Sequence, residues 1–214
     1  MKQAALGQRL GFYGLGLFVM TIGIALSVKS HLGVSPISSI PYTMTVVWGI
    51  EMGKATIILH TFLVLLQILI LRKAFDWHQL FQVVVGIIFG YFTTFCNWLA
   101  TFLPTPRTLL AQLILSGLSI VLIAIGIFCY MPTNLIPLAG EGIMGVIADV
   151  THIPFPKVKV ATDSTMVLIS VLTCLLLVHG LGSVGLGTIL AAILVGTTLN
   201  VIMHFFGKWR YSLV

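Results

Sequence analysis

Residues 137–163 read PLAGEGIMGVIADVTHIPFPKVKVATD. In an otherwise apolar chain, this stretch gathers Glu141, Asp149, Lys157, Lys159 and Asp163 within 23 residues. Of the five carboxylates in the protein, only Asp76 lies outside this stretch and the matching region around Glu51. Ionisable groups this close to lipid are costly unless they pair or line a cavity, so they point to function before packing.

The composition decides the class. Of 214 residues, 58% are hydrophobic and 7% charged, and the mean hydropathy is +1.13. Soluble domains carry roughly 25% charged residues. Too little polar surface remains to cover a globule, so the exterior must face lipid. The net charge of +6 would suggest nucleic acid in a soluble chain. Here the basic residues sit at the ends of apolar runs and report membrane topology instead, with no nucleic-acid partner. Cys96, Cys129 and Cys174 each lie inside an apolar run, without a CxxC pair, and read as buried thiols. The first apolar run follows Lys2 and Arg9 without a small-residue cleavage site, so it reads as a retained span.

Six runs are long enough to cross a bilayer at about 20 residues each: Leu10–Val28, Ala55–Leu71, Leu80–Leu103, Leu109–Met131, Val160–Val178 and Leu186–Phe206. Lys208, Trp209, Arg210 and Tyr211 then form a basic, aromatic interfacial anchor. Two segments break the pattern. Gly33–Ile50 contains Pro36 and Pro41, and Pro137–Val150 contains Pro137, Gly140 and Gly142. Each follows one span and precedes another. Irregular backbone at membrane depth is tolerated only inside protein or beside a cavity, which predicts two re-entrant half-helices.

The broken segments expose a repeat. An offset of 103 residues pairs Ile22-Gly23-Ile24 with Ile125-Gly126-Ile127 and Lys54 with Lys157. It also sets Ser38 on Glu141, Thr56 on Lys159 and His60 on Asp163. A slip to 106 pairs Leu80 with Leu186 and Gly90 with Gly196. Two halves result, 9–100 and 109–207, within one membrane domain 1–214. Three spans per half put the halves in opposite orientation, the inverted-repeat plan of secondary transporters. With the N-terminus inside, Lys2, Arg9, Arg72, Lys73, Lys157, Lys159, Lys208 and Arg210 lie inside, and Lys29, Lys54 and Arg107 outside. That bias supports cytoplasmic termini in a bacterial inner membrane. Eight full crossings give the same bias, so charge alone leaves six and eight crossings open.

Several residues are candidates for a solute site. Lys159 and Asp163, four apart, share one helix face, either as a wall of a cavity or as a local ion pair. Glu141 between Gly140 and Gly142 would sit where a half-helix aims free N–H groups at an anion, or in a solvated loop. Ser35-Pro36 reads as a cap and first-turn proline, and Ser35, Ser38 and His60 would add neutral polar groups from the other half. Gly86, Gly90, Gly185, Gly187 and Gly196 read as close helix packing. The histidines and cysteines form no metal cluster, and no cofactor is implied. No nucleophile and base stand at useful spacing, so the pattern points away from an enzyme.

These residues resemble the bacterial membrane proteins grouped as the YczE/YyaS/YitT family, with a domain of unknown function. The likeness lies in Gly33-Val34-Ser35-Pro36 and Met52-Gly53-Lys54 of the first half. In the second it lies in Pro137 to Gly142, Phe155-Pro156-Lys157-Val158-Lys159 with Asp163, Gly185-Leu186-Gly187-Thr188 and Gly196. The chain departs from the pattern in the first half, where Leu80-Phe81-Gln82 stands in place of GxGT and Glu141 has no acidic counterpart. The resemblance implies an integral membrane protein, commonly taken as a transporter, and carries no substrate.

The expectation is therefore an all-α membrane protein that carries a small anionic or zwitterionic solute. Glu141, Lys159, Asp163, Ser35, Ser38, His60, Gly140 and Gly142 would bind it. The alternative is a non-transporting subunit or scaffold of a larger complex, and a chain of this size leaves room for a second copy or a partner subunit.

Overall fold

The structure, a computed structural model, describes residues 6–133 and 135–213, with only the backbone described over 207–213. Lys2 and the side chains of the C-terminal anchor, Lys208 to Tyr211, lie outside the described residues. The described residues form eight α-helices: α1 (Leu6–Ser30), α2 (Pro36–Trp48), α3 (Met52–Leu71), α4 (Phe81–Thr101), α5 (Leu109–Tyr130), α6 (Ala139–Thr151), α7 (Phe155–Val178) and α8 (Leu186–Leu213). Six are long and apolar enough to cross a membrane: α1, α3, α4, α5, α7 and α8. Helices α2 and α6 have 13 residues each. At about 1.5 Å per residue they reach roughly 20 Å, short of the ~30 Å hydrocarbon core.

The starts of α2 and α6, and of α3 and α7, are each 103 residues apart. The two short helices also end at matching positions, Trp48 and Thr151. The residue after α2, Gly49, has φ +67°, and its counterpart after α6, His152, has φ +56°. Helix α7 begins at Phe155, five residues before hydropathy alone places it. Pro156 lies in its first turn, where a missing N–H costs nothing. Lys157, Lys159 and Asp163 are thus helical from the outset.

The chain divides into two compact units. The first comprises Met1–Ser35, Phe95–Leu135 and Leu186–Val214. In it α1 packs along α5, with α8 on α5. Gly16 meets Gly126 and Tyr130, while Gly23 meets Ser119 and Ile123, so the two helices run antiparallel. A Cβ added to Gly126 would lie 2.6 Å from the Gly16 carbonyl oxygen and 2.8 Å from the Met20 nitrogen. Backbones this close gain dispersion contacts, the main source of helix association in lipid. The end of α4 joins through Cys96 and Ala100 against Ala25, with the Thr21 hydroxyl 3.3 Å from Cys96 Sγ. Arg9 donates to the Thr133 carbonyl. The Gly187 N–H donates to the Leu32 carbonyl at 2.7 Å, so the Gly185–Thr188 run ties the start of α8 to the loop after α1. Gly196, by contrast, has no atom near its virtual Cβ and does not mark a close crossing.

The second unit comprises Pro36–Thr94 and Ile136–Gly185. Here α2 packs on α7 and α3, while α6 packs on α3 and α7. Its core joins Leu59, Leu63 and Val64 of α3 to Ala139, Ile143 and Met144 of α6 and to Val158 and Met166 of α7. Glu51 is consumed structurally. It caps α3 by accepting from the Gly53 and Lys54 N–H groups at 2.8 and 3.1 Å, and it accepts from Thr94 Oγ1 of α4 at 2.9 Å. Gly53 and Gly90 let α3 and α4 touch above that cap, as the small-residue spacing predicts.

Gly126→Leu should therefore lower stability by about 1–3 kcal/mol through overpacking. Gly117→Leu, at a position with nothing within 4 Å, should change it little. Thermal unfolding of both variants in one detergent checks this.

Candidate functional site

The two short helices begin beside each other. Helix α2 starts at Pro36, whose fixed φ suits a first helical position, with buried Ser35 before it. Helix α6 starts after Leu138 with no side-chain cap. Its first intrahelical bond is Gly142 N–H to the Leu138 carbonyl, 2.9 Å, so the N–H groups of Ala139, Gly140 and Glu141 have no acceptor within their own helix. A Cβ on Gly140 would collide with Cδ1 of Ile37. The first turn of α2 and the first turn of α6 thus meet at Ile37 and Gly140, which are 103 residues apart. Each brings the positive end of a helix dipole, worth roughly half an elementary charge.

Polar side chains hold both starts. Gln67 of α3 and Gln82 of α4 are 0% and 1% exposed, and their amides pair reciprocally. Gln67 Nε2 donates to Gln82 Oε1 at 2.9 Å and Gln82 Nε2 donates to Gln67 Oε1 at 3.3 Å. Gln67 Nε2 also donates to the Ala139 carbonyl at 3.4 Å. Gly142 lies against this pair, because a Cβ there would sit 2.6 Å from Gln82 Oε1. On α2, Ser39 Oγ donates to the Pro36 carbonyl at 2.6 Å and accepts from Ser170 Oγ of α7 at 2.9 Å. One turn further, Thr43 Oγ1 lies 2.6 Å from Ser183 Oγ, with Cys174 Sγ 3.7 Å from Thr43. Because 39 meets 170 and 43 meets 174, α2 and α7 run parallel.

The predicted residues divide into groups. Gly140, Glu141 and Gly142 form the first turn of α6, with Glu141 half-buried. Ser35 and Ser38 are buried at the start of α2. Lys159 and Asp163 pair through Lys159 Nζ and Asp163 Oδ2 at 2.9 Å, with side chains 53% and 18% exposed. Asp163 Oδ1 is buried without a hydrogen-bond partner among the described residues. Lys159 thus joins a pair along its own helix. His60 is 3% exposed, its ring 5.6 Å from that of Phe89 and against Gly86. Its Nδ1 has no hydrogen-bond partner among the described residues. No group of three or more metal-ligating side chains occurs among the described residues.

Gln67 and Gln82 escape a reading by charge. Their signal is an amide inside an apolar span, which must find a partner, and Gln67 falls on Ser170 under the same 103-residue offset.

The chain is 26% identical over 208 residues to the uncharacterized protein YyaS of Bacillus subtilis (strain 168), covering 93% of this chain and 96% of that one. It is 29% identical over 202 residues to the uncharacterized membrane protein YczE of the same organism, covering 94% and 87%. No solved structure matches. A family model matches residues 7–204, nearly the whole of the helical body described above. The chain therefore belongs to the family of unknown function DUF6198.

Proposed function

We propose that this membrane protein is a small secondary transporter of an anionic or zwitterionic solute. Its two halves are inverted repeats, and the solute sits where the half-helices α2 and α6 re-enter and meet near the bilayer midplane. The observation that carries the reading is the contact of Ile37 with Gly140, which brings two short-helix N-termini together. Broken helices whose N-termini face one another are the usual way such carriers hold an anionic group.

Three further features support it. Helix starts recur at one offset. The packing is reciprocal: α2 on α7 is matched by α6 on α3, and α2 on α3 by α6 on α7. The helices equivalent under that exchange, α1 and α5, pack antiparallel, as an in-plane two-fold axis requires. Depth agrees as well. Gln67 and Ser170 each lie 15 residues beyond the starts of α3 and α7, roughly 22 Å along helices that rise about 1.5 Å per residue.

The two dipole ends favour a negative group on the solute. Glu141, in the first turn of α6, supplies one carboxylate that can face an ammonium group or carry a coupled proton. The groups at the meeting point are backbone N–H, amide and hydroxyl, suited to holding a solute and not to attacking it, so the proposal is a carrier and not an enzyme. The bias of the basic residues supports cytoplasmic termini in a bacterial inner membrane.

The test is a thermal-shift screen of the purified protein against small carboxylates, amino acids, sulfate and phosphate at two pH values, followed by flux in proteoliposomes. A true solute at a hundredfold its Kd should stabilise by about 2.7 kcal/mol. Glu141→Gln and Gly140→Leu should remove most of that shift and abolish flux. Stabilisation that ignores both variants would refute the site, and stabilisation without flux would refute the carrier.

A further inference from the structure

Helix α8 leaves bare a face that α4 buries. Under the 106-residue offset, Gly86, Gly90 and Thr94 of α4 fall on Ala192, Gly196 and Asn200 of α8. On α4 these three residues receive α3. A Cβ on Gly86 would lie 2.8 Å from Cβ of His60, and one on Gly90 would lie 2.7 Å from the Gly53 carbonyl oxygen. Thr94 Oγ1 donates to Glu51 at 2.9 Å. Elsewhere the two helices agree: Gln82 and Thr188 are both buried, as are Val85 and Ala191. The stripe itself differs. Ala192, Gly196 and Asn200 are all exposed, and Gly196 has nothing within 4 Å of its virtual Cβ. In the apolar window of α4 39% is buried, and in that of α8 17%. A surface that receives a helix in one half is open in the other.

Asn200 makes the open face costly. It lies 14 residues beyond Leu186, roughly 21 Å along a helix that rises about 1.5 Å per residue, and six residues before the span ends at Phe206. Its side chain is too short to reach water from that depth as a lysine would, and lipid offers the amide no partner. An amide carries both donors and an acceptor, so it is satisfied by a copy of itself. Ala192 and Gly196, two turns and one turn before it, are small enough for two helix backbones to come close. No Lys, Arg, Asp or Glu lies between Leu186 and Phe206, so two such faces meet without repulsion. We infer that α8 is the contact between two copies of this chain. They pack in parallel about a two-fold axis along the membrane normal, the geometry that sets a residue against its own counterpart. Gly196, which marks no crossing within its own chain, lies at this one with Ala192, and the two Asn200 amides pair across it. The equivalence with α4 rests on the repeat proposed above, whereas the exposed amide and the small residues before it stand without that repeat.

The experiment reads the dimer fraction of the full chain in liposomes by single-molecule photobleaching, over a range of dilutions in lipid. Gly196→Leu and Asn200→Leu should each weaken dimerisation roughly three- to thirtyfold. Asn200→Gln keeps an amide and should hold more of the dimer than Asn200→Leu does. Gly117→Leu, at an open position of α5, should leave the dimer unchanged. Thermal unfolding in detergent shows whether each protomer still folds, and Ala192→Leu tests the same crossing if Gly196→Leu does not. In native membranes, oxidation of Ala192→Cys should give a disulfide-linked pair, because a bridge forms only where two Cα atoms come within about 7 Å. Ile88→Cys, exposed on α4, and the parent protein should not.

A chain that stays single at every dilution, or a dimer indifferent to both leucine variants, would overturn the inference. So would an adduct at position 192 that holds a different protein in place of a second copy. A dimer that responds as expected in a protein without flux in proteoliposomes would leave the inference standing and remove the carrier. Flux by a protein that stays single would do the opposite.

Discussion

A helix that starts inside a membrane, as proposed for α2 and α6, leaves the N–H groups of its first turn without acceptors in their own helix. Lipid satisfies none of them, and each unsatisfied group costs several kcal/mol. The arrangement of this protein follows from that constraint. Polar side chains gather at the starts of both helices: Ser39 donates to the Pro36 carbonyl and accepts from Ser170 of α7, and Gln67 of α3 donates to the Ala139 carbonyl. The glycines at 140 and 142 let those donors and the opposing helix approach the backbone. In the proposed function, the first turns that meet at Ile37 and Gly140 are the feature a solute uses.

The two halves are unequal. Under the proposed repeat, Ser39 and Gln67 of the first half take the places of Gly142 and Ser170 in the second, which also carries Glu141. Strict symmetry would give the two half-helices identical environments and no preference between them. The charged residues have local tasks as well. Glu51 is held by the cap of α3 and by Thr94, and Lys159 by Asp163. Glu141 lies in the first turn of α6.

Much of the fold can be read from the chain. Six spans follow from hydropathy, and the two short elements from their Pro and Gly, with α2 beginning at the predicted Pro36. Gly23 and Gly126, paired by the 103-residue offset, prove to lie on the facing sides of α1 and α5. Other features are hidden because they depend on partners distant in sequence. Gln67 and Gln82 look unremarkable in their own runs, and their meaning comes from Ala139, 72 residues beyond Gln67. The start of α7 is masked by lysines and a proline that hydropathy counts as loop. Gly196 shows the converse, since a glycine at the right spacing meets nothing. Charge singles out Lys159 and Asp163, whereas the side chains that bond the first carbonyls of α2 and α6, Ser39 and Gln67, are neutral.

The measurement that bears most directly on the account is the membrane face reached by the far ends of α2 and α6. Single cysteines at Trp48 and Thr151 are labelled with an impermeant maleimide in intact cells and in inverted vesicles. Half-helices that re-enter from opposite sides and meet at their N-termini place these ends on opposite faces, with 48 outside and 151 inside. Both cysteines reacting from the same face would mean that α2 and α6 cross in sequence with the other helices, and would contradict the account.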